Sequence, residues 1–130
     1  MKVSARRRKG YAHSLTAGKH TLIADEPPEK GGTDTGPEPT DLLALSLAAC
    51  TAITIEMFAN RKEWNVGDVA VDVDYEVDKK KGTSRFDVVI EIPGDVSEEQ
   101  VGQLKVIASK CPVHRVLIGD VEINDEVRRA

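Results

Sequence analysis

The chain has 130 residues, of which 40% are hydrophobic and 31% are charged, and its formal net charge is −4. This length and composition predict a single folded domain spanning residues 1–130 and argue against disorder over most of the chain. The small negative charge does not favour a nucleic-acid surface, and we interpret the basic run Arg6-Arg7-Arg8-Lys9 as a solvated strand end. We therefore expect no nucleic-acid partner.

The first 38 residues predict strands followed by a loop. Short apolar and polar residues alternate between residues 2 and 25, with breaks at Lys9-Gly10 and Ala17-Gly18-Lys19, which indicates two or three antiparallel strands joined by hairpins. Residues 26–38 are rich in glycine and proline and are predicted to form a loop. Pro39 and Thr40 then give a stop-and-cap signal for a helix, and Asp41 would lie in its first turn.

The helix predicted from this point to about Lys62 is apolar on almost every side in its first half. Such a helix is expected in the interior of a protein, and its length calls for cover that a partner subunit would provide. The apolar run from Leu42 to Ile55 is shorter than the roughly 20 residues that span a bilayer. The N-terminal residues also lack the apolar stretch of a signal peptide, so we predict a cytoplasmic protein without a membrane partner.

The second half of the chain predicts a hairpin, a helix and a last strand. Clean alternation over residues 69–77 and 85–92, with a short polar connection between them, is typical of a hairpin. Ser97 and Gln100 have the spacing of a capping box at the start of a helix that should end near Ser109 or Lys110. A final strand is expected around Asp120 to Arg128. The predicted class is α+β, with helices on one face of an antiparallel sheet.

The chain contains two cysteines, 61 residues apart, which the reducing cytoplasm would keep free. Cys111 precedes a predicted helical turn from Pro112 to Ile118, where it would be the N-cap with basic side chains nearby, and these features favour ionisation of its thiol. The sequence leaves two interpretations open at this point. The cysteines are either a transient redox or sensing pair or two unrelated thiols, one in the core and one in a linking turn.

Cys50 lies inside the long apolar helix, so burial would disfavour its thiolate unless a cation or hydrogen-bond donor offsets that cost. We find no such group within the helix and expect it to come from elsewhere in the fold or from another chain. The candidate cations are Arg6, Arg7, Arg8, Arg61 and Arg115.

A metal site is the less favoured interpretation of the second cysteine. Cys111 and His114 form a Cys-x-x-His pair, but zinc would require two further ligands and the sequence has no second closely spaced pair. We predict no metal.

Three segments of the chain resemble the OsmC/Ohr family. They are the glycine- and proline-rich run with the helix around Cys50 (Gly31 to Ala52), the Arg61-Lys62-x-Trp64 segment and the Cys-Pro-Val-His-Arg motif from Cys111 to Arg115. The resemblance implies an OsmC-like α+β fold in which two subunits form an intertwined homodimer, with a long helix of each at its centre. Well-studied members are thiol peroxidases that reduce organic hydroperoxides, an antioxidant activity of the oxidative stress response.

The resemblance also implies the role of each cysteine. Cys50 would attack the peroxide and become a sulfenic acid, and Cys111 would resolve it as a disulfide, without metal, flavin or other cofactor. A dithiol such as a lipoyl group on a protein would then reduce the disulfide. Family peroxidases activate the first cysteine with an arginine of the early hairpin and a glutamate ten residues before it. Here that position is Thr40, and the nearest candidates are Arg8 and Asp41.

The departures at these two positions leave an alternative function open. The chain would then be a redox-sensing or small-molecule-binding member of the family whose cysteines oxidise without efficient turnover. A purely structural dimer is a third hypothesis.

Overall fold

A computed structural model describes all residues, 1–130. In chain order it contains β1 (Val3–Lys9), β2 (Ala12–Ala17), β3 (His20–Ala24), α1 (Pro39–Lys62), β4 (Ala70–Asp78), β5 (Thr83–Glu91), α2 (Glu98–Ala108) and α3 (Pro112–Ile118). One antiparallel sheet has the order β1-β2-β3, and β4 and β5 form a second. The predicted α+β class is confirmed. The chain divides into two compact units, residues 1–45 and 46–130.

The first unit is built on the three-stranded meander that the alternating sequence predicts. Gly10 and Gly18 lie in its two hairpin turns with φ angles of 58° and 60°, a left-handed conformation that glycine adopts without steric cost. In the resulting register Ala5 pairs with Leu15, and Leu15 pairs with Leu22. These three side chains therefore share one face of the sheet.

The loop after β3 is ordered by a buried carboxylate. Asp25 is 1% exposed. Its Oδ2 accepts hydrogen bonds from the backbone N–H and the hydroxyl of both Thr33 and Thr35, at 2.7 to 3.3 Å, and its Oδ1 accepts one from the Glu26 N–H at 2.7 Å. The bonds from Thr35, with those from Thr33 and Glu26, hold the pKa of the Asp25 carboxyl well below its usual range despite its burial.

Two glycines of the loop are required by close backbone packing. A Cβ on Gly32 would overlap the carbonyl group of Glu26, and one on Gly36 would overlap that of Ile23. The segment predicted as a loop thus has one short 3-10 turn, Pro28–Lys30, and otherwise follows a path set by Asp25 and these contacts. The glycine spacing in this part of the chain has a steric cause.

Helix α1 begins and ends close to the predicted positions, but the role of Thr40 at its start and the burial of its faces differ from the expectation. Its first residue is Pro39, so Thr40 lies inside the helix and is not its cap. A proline at this first position lacks only an N–H that no helix would use. The helix has the length and hydropathy of a membrane span, and only 28% of its most apolar window is buried within the chain.

One chain alone therefore covers only part of α1, and cover of the rest by a partner subunit stays a prediction. Within the second unit, the buried residues of α1 recur every four positions at Leu47, Thr51, Ile55 and Ala59, which places them on one stripe of the helix. Ile53 and Met57 lie on another face and are 55% and 59% exposed. Apolar composition identified the helix but not how many of its faces one chain covers.

The core of the second unit lies where α1, α2 and the segment between α1 and β4 meet. Its buried side chains are Ile55, Ala59, Val66, Leu104 and Ala108. Phe58 and Trp64 pack against this cluster, and their rings meet each other edge-to-face with centroids 5.5 Å apart. The predicted capping box starts α2, because Ser97 and Gln100 each bond the other's backbone N–H through their side chains.

The strand predicted over Asp120 to Arg128 is wrong. Residues 120–130 have no regular secondary structure, and Val121, Ile123 and Val127 are 62%, 77% and 97% exposed. Alternation tells which side chains would share a face, but a strand also needs a neighbour for its backbone N–H and C=O groups. No strand of the chain pairs with this segment.

The Asp25 carboxylate predicts a pH-dependent stability. Because its pKa is lowered by folding, the stability it contributes is fully present above the unfolded pKa of about 3.9 and is lost as the pH falls towards the folded value. We expect Asp25→Asn to lower the thermal unfolding midpoint at pH 7, and the difference from the unmodified protein to shrink below about pH 4.

Thermal unfolding followed by circular dichroism between neutral and acidic pH measures this difference. Asp34→Asn is the matched control, because it makes the same charge change in the same loop at an exposed residue. If the unfolding midpoint of Asp25→Asn stayed below that of the unmodified protein by the same amount down to the lowest pH, the charge on this carboxylate would not stabilise the loop.

Candidate functional site

The structure brings together the two cysteines that the sequence singled out. Cys50 lies in the middle of α1 and is half-buried, whereas Cys111 precedes α3 and is fully buried. Both are free thiols, and the Cys111 thiol donates a hydrogen bond to the Cys50 sulfur. The pair forms the candidate functional site, and it lies entirely within the second unit.

A break between two helices positions Cys111. Pro112 disfavours a helical conformation at the preceding residue, and Cys111 accordingly has the extended-type angles φ −58° and ψ 137°. Cys111 is the N-cap of α3, as predicted, and its Sγ accepts the backbone N–H of His114 at 3.3 Å. The sequence signals of proline, short helix and Gly119 stop are sufficient to explain this geometry.

The surroundings of the two sulfurs shift their pKa values in opposite directions. Burial acts to raise the pKa of the Cys50 thiol, but hydrogen bonds from the Cys111 thiol, the Val113 N–H and the Thr54 hydroxyl lower it below the ordinary value. For Cys111, burial and its hydrogen bond to Cys50 raise the pKa, against opposing bonds from the His114 and Val113 N–H groups. The shared proton therefore belongs to Cys111, and Cys50 is the preferred thiolate.

Two of the three donors to Cys50 were missed by the sequence analysis. The expectation that the helix of Cys50 offers no stabilising group is wrong, because Thr54 lies four residues further on, where helical side chains are neighbours. That spacing was a readable signal. The Val113 donor is a backbone group freed at the start of α3, so no side-chain pattern could reveal it.

The other predicted site residues lie in the first unit. Arg8 is on β1 at the point where the pairing with β2 shifts by one residue, and it is exposed. Asp41 lies in the first turn of α1. Their participation at Cys50 stays a prediction.

A cavity of about 310 Å³ is lined by neighbours of the two cysteines, although neither cysteine itself is part of its wall. Leu47 lies one helical turn before Cys50, and His114 is the residue whose N–H bonds to Cys111 Sγ. The remaining wall comes from β5 and α3 and consists of Ser84, Arg85, Phe86, Val88, Leu117 and Ile118.

The side chains that face this cavity are mainly apolar. Arg85 pairs with Glu76 across the hairpin, so its side chain is on the face opposite to Phe86 and Ser84. There its guanidinium bonds to Glu76 Oε2 and Asp87 Oδ2 at 3.0 Å each. The polar side chains left for the cavity are Ser84 and His114.

The cysteine and histidine of the motif do not gather a set of metal ligands. No group of three or more His, Cys, Asp or Glu side chains is placed to hold a metal ion. Cys111 and His114 therefore lack the two further ligands that a zinc site requires.

Comparison with known proteins identifies relatives of the chain. The family model described as OsmC-like protein matches residues 32–125. No curated protein sequence matches the chain.

Several solved structures have a similar fold. An OsmC-like protein of Mycoplasma pneumoniae has a TM-score of 0.78 at 19% identity, covering 91% of this chain and 86% of its own. An organic hydroperoxide resistance protein of Legionella pneumophila has a TM-score of 0.63 at 25% identity, covering 92% and 90%. The organic hydroperoxide resistance protein OhrB of Bacillus subtilis has a TM-score of 0.61 at 26% identity, covering 93% and 92%.

The Thr54 hydroxyl gives a testable effect on the reactive thiol. In Thr54→Val the Cys50 thiolate loses a donor while the helix keeps a side chain of the same shape, so the pKa of Cys50 should rise. The measurement is the rate of Cys50 alkylation by iodoacetamide as a function of pH, read by mass spectrometry. Thr51→Val is the control, because it removes a hydroxyl from the same helix that is not a donor to the Cys50 sulfur. Equal alkylation profiles for both variants would contradict the assigned role of Thr54.

Proposed function

We propose that this chain, which belongs to the OsmC-like protein family, is a single-domain, cytoplasmic thiol peroxidase that reduces organic hydroperoxides. The observation that carries the proposal is the hydrogen bond from the Cys111 thiol to Cys50, since it lowers the pKa of Cys50 and raises the pKa of Cys111. A thiolate is the nucleophile in peroxide reduction, and a neighbouring thiol is what resolves a sulfenic acid.

The reaction follows from this arrangement in two steps. The Cys50 thiolate attacks the terminal oxygen of the hydroperoxide, so that an S–O bond forms, the O–O bond breaks and the alkoxide leaves to become an alcohol. Cys50 is thereby oxidised to a sulfenic acid. The Cys111 sulfur then attacks Cys50, a disulfide forms, and the displaced hydroxide leaves as water with the Cys111 proton.

The cavity beside the dithiol supports an organic substrate over hydrogen peroxide. Its side chains from Leu47, Phe86, Val88 and Leu117 offer an apolar surface that an alkyl or aryl group would cover. Two relatives that are 25% and 26% identical to this chain are described as organic hydroperoxide resistance proteins. A redox function related to peroxides, within an oxidative stress response, is consistent with both observations.

The catalytic cycle needs a reductant but no cofactor bound to this chain. Reducing the disulfide takes two electrons, and a dithiol such as a lipoyl group on a protein supplies both by thiol–disulfide exchange. Arg8 and Asp41 remain the proposed counterparts of the arginine and glutamate in family peroxidases. Three hydrogen bonds already favour the Cys50 thiolate without them.

We further propose that the protein is a homodimer. Ala49, Ile53 and Met57 recur every four residues on an exposed face of α1, which forms an apolar stripe. A second copy of the chain is the occupant that fits this stripe, because the family resemblance places two such helices together at the centre of a dimer.

Stopped-flow kinetics test the peroxidase. The reduced protein should react with cumene hydroperoxide much faster than free cysteine does, and Cys50→Ser should abolish this reaction. Cys111→Ser should keep the first oxidation and accumulate a sulfenic acid at Cys50 that dimedone traps, because no resolving thiol is present.

The same experiment separates the proposal from its alternatives. Oxidation of Cys50 at the rate of free cysteine would contradict the proposed peroxidase function and favour a sensing or small-molecule-binding protein. If neither Cys50→Ser nor Cys111→Ser changed the reaction with peroxide while both proteins folded, the cysteines would have no redox role.

The dimer is tested by placing a charge on the apolar stripe. Met57→Glu should shift the mass in sedimentation equilibrium from twice the chain mass to the mass of one chain, because an unpaired carboxylate would be buried at the interface. Val89→Glu is the matched control, since Val89 is 58% exposed and Met57 59%. A monomeric unmodified protein, or partition of the protein into detergent micelles, would contradict the proposed dimer.

A further inference from the structure

We propose that His114 is the catalytic acid of the peroxide reaction and protonates the alkoxide that leaves when Cys50 attacks. The inference rests on the proposed peroxidase function and adds a residue that the cysteine chemistry alone does not provide. Its basis is that His114 lines the apolar cavity while its backbone N–H bonds to Cys111 Sγ.

The direction of attack determines where a proton is needed. The sulfur approaches one peroxide oxygen from the side opposite to the other, because it displaces the bond between them. The leaving oxygen, which carries the organic group, is therefore farther from Cys50 Sγ than the oxygen that is attacked. If the organic group occupies the apolar cavity, the leaving oxygen lies between the sulfur and the cavity.

The fold places His114 at this boundary. Its backbone N–H bonds to Cys111 Sγ at 3.3 Å as part of the N-cap of α3, and His114 lines the cavity together with Leu47, one turn before Cys50. The half-buried His114 thus belongs both to the α3 turn that holds Cys111 and to the lining of the cavity.

The other polar groups of the site are less suited to this step. Thr54, Val113 and Cys111 direct their hydrogens to the Cys50 sulfur, so they act on the nucleophile. The Arg85 guanidinium is on the outer face of the hairpin with Glu76 and Asp87. Ser84 lines the cavity, but a hydroxyl is a much weaker acid than an imidazolium ion.

The step balances with one proton from the histidine. In the reacting form Cys50 is the thiolate and a His114 ring nitrogen holds the proton to be transferred. Attack forms the S–O bond of the sulfenic acid, the O–O bond breaks, and the leaving alkoxide takes the His114 proton to give the alcohol. The products are a neutral imidazole, a Cys50 sulfenic acid and an alcohol, and the two electrons come from sulfur.

Two peroxides with different leaving groups test the assignment. An alkoxide leaving from cumene hydroperoxide is strongly basic and needs the proton, whereas the carboxylate leaving from peroxyacetic acid is stable without it. In His114→Ala we expect Cys50 oxidation by cumene hydroperoxide to slow by about 10²- to 10⁴-fold, the usual contribution of a general acid. Oxidation by peroxyacetic acid should keep the rate of the unmodified protein.

The controls separate this role from a structural one. The bond to Cys111 Sγ comes from the backbone of His114 and persists in the variant, so alkylation of Cys50 should keep its pH profile. His114→Gln, which keeps side-chain volume but offers no acidic proton, should behave like His114→Ala. His20→Ala removes an exposed histidine of β3 and should change neither rate.

The outcomes that overturn the inference differ from those that overturn the proposed function. Equal slowing with both peroxides, slowing with neither, or selective slowing in Ser84→Ala instead would each reject His114 as the acid while the peroxidase stands. An unmodified protein that reacts with neither peroxide faster than free cysteine would reject the peroxidase and the inference together.

Discussion

The chemistry proposed for this protein depends on one hydrogen bond, in which the Cys111 thiol donates to the Cys50 sulfur. Two adjacent sulfurs in a partly buried site cannot both be ionised cheaply, so a single proton is held at one of them. Apart from this bond, each sulfur has two donors. They are Thr54 and Val113 at Cys50, and His114 and Val113 at Cys111. Cys111 is fully buried whereas Cys50 is half-buried, so burial favours the anion at Cys50.

The backbone donors to the two sulfurs come from a break between two helices. Pro112 ends any helical continuation from α2, and the new turn exposes amides that have no helical acceptor. The Val113 N–H donates to the Cys50 sulfur, and the His114 N–H donates to the Cys111 sulfur. A proline thus does in this fold what a charged side chain does in many thiol sites, because it frees backbone dipoles to stabilise sulfur. The local sequence suggested Cys111 as the more reactive thiol, whereas the assembled site favours Cys50.

The sequence predicted well those parts of the structure that depend on the spacing of residues close together in the chain. The capping box at Ser97 and Gln100, the N-cap at Cys111 and the hairpin of β4 and β5 each depend on a few adjacent residues. The features that it did not predict involve surfaces that local patterns do not describe. The helix α1 is apolar nearly all round but buries one stripe, and the alternating C-terminal residues 120–130 find no strand partner. The hydrogen bond from Thr54 to Cys50 could have been predicted from their four-residue spacing. The bond from the Val113 amide could not, because only the fold brings it to the sulfur.

The exposed stripe on α1 connects assembly to the reactivity of the thiol. Ala49 and Ile53 flank Cys50 along the helix, so a second copy covering them in the proposed dimer would remove water from around a sulfur that is half-buried in one chain. Lower water content raises the cost of the thiolate, but it also strengthens each hydrogen bond that reaches it. With donors from Cys111, Val113 and Thr54 already in place, we expect the second effect to offset the first. Exclusion of water would then keep Cys50 reactive towards an apolar peroxide.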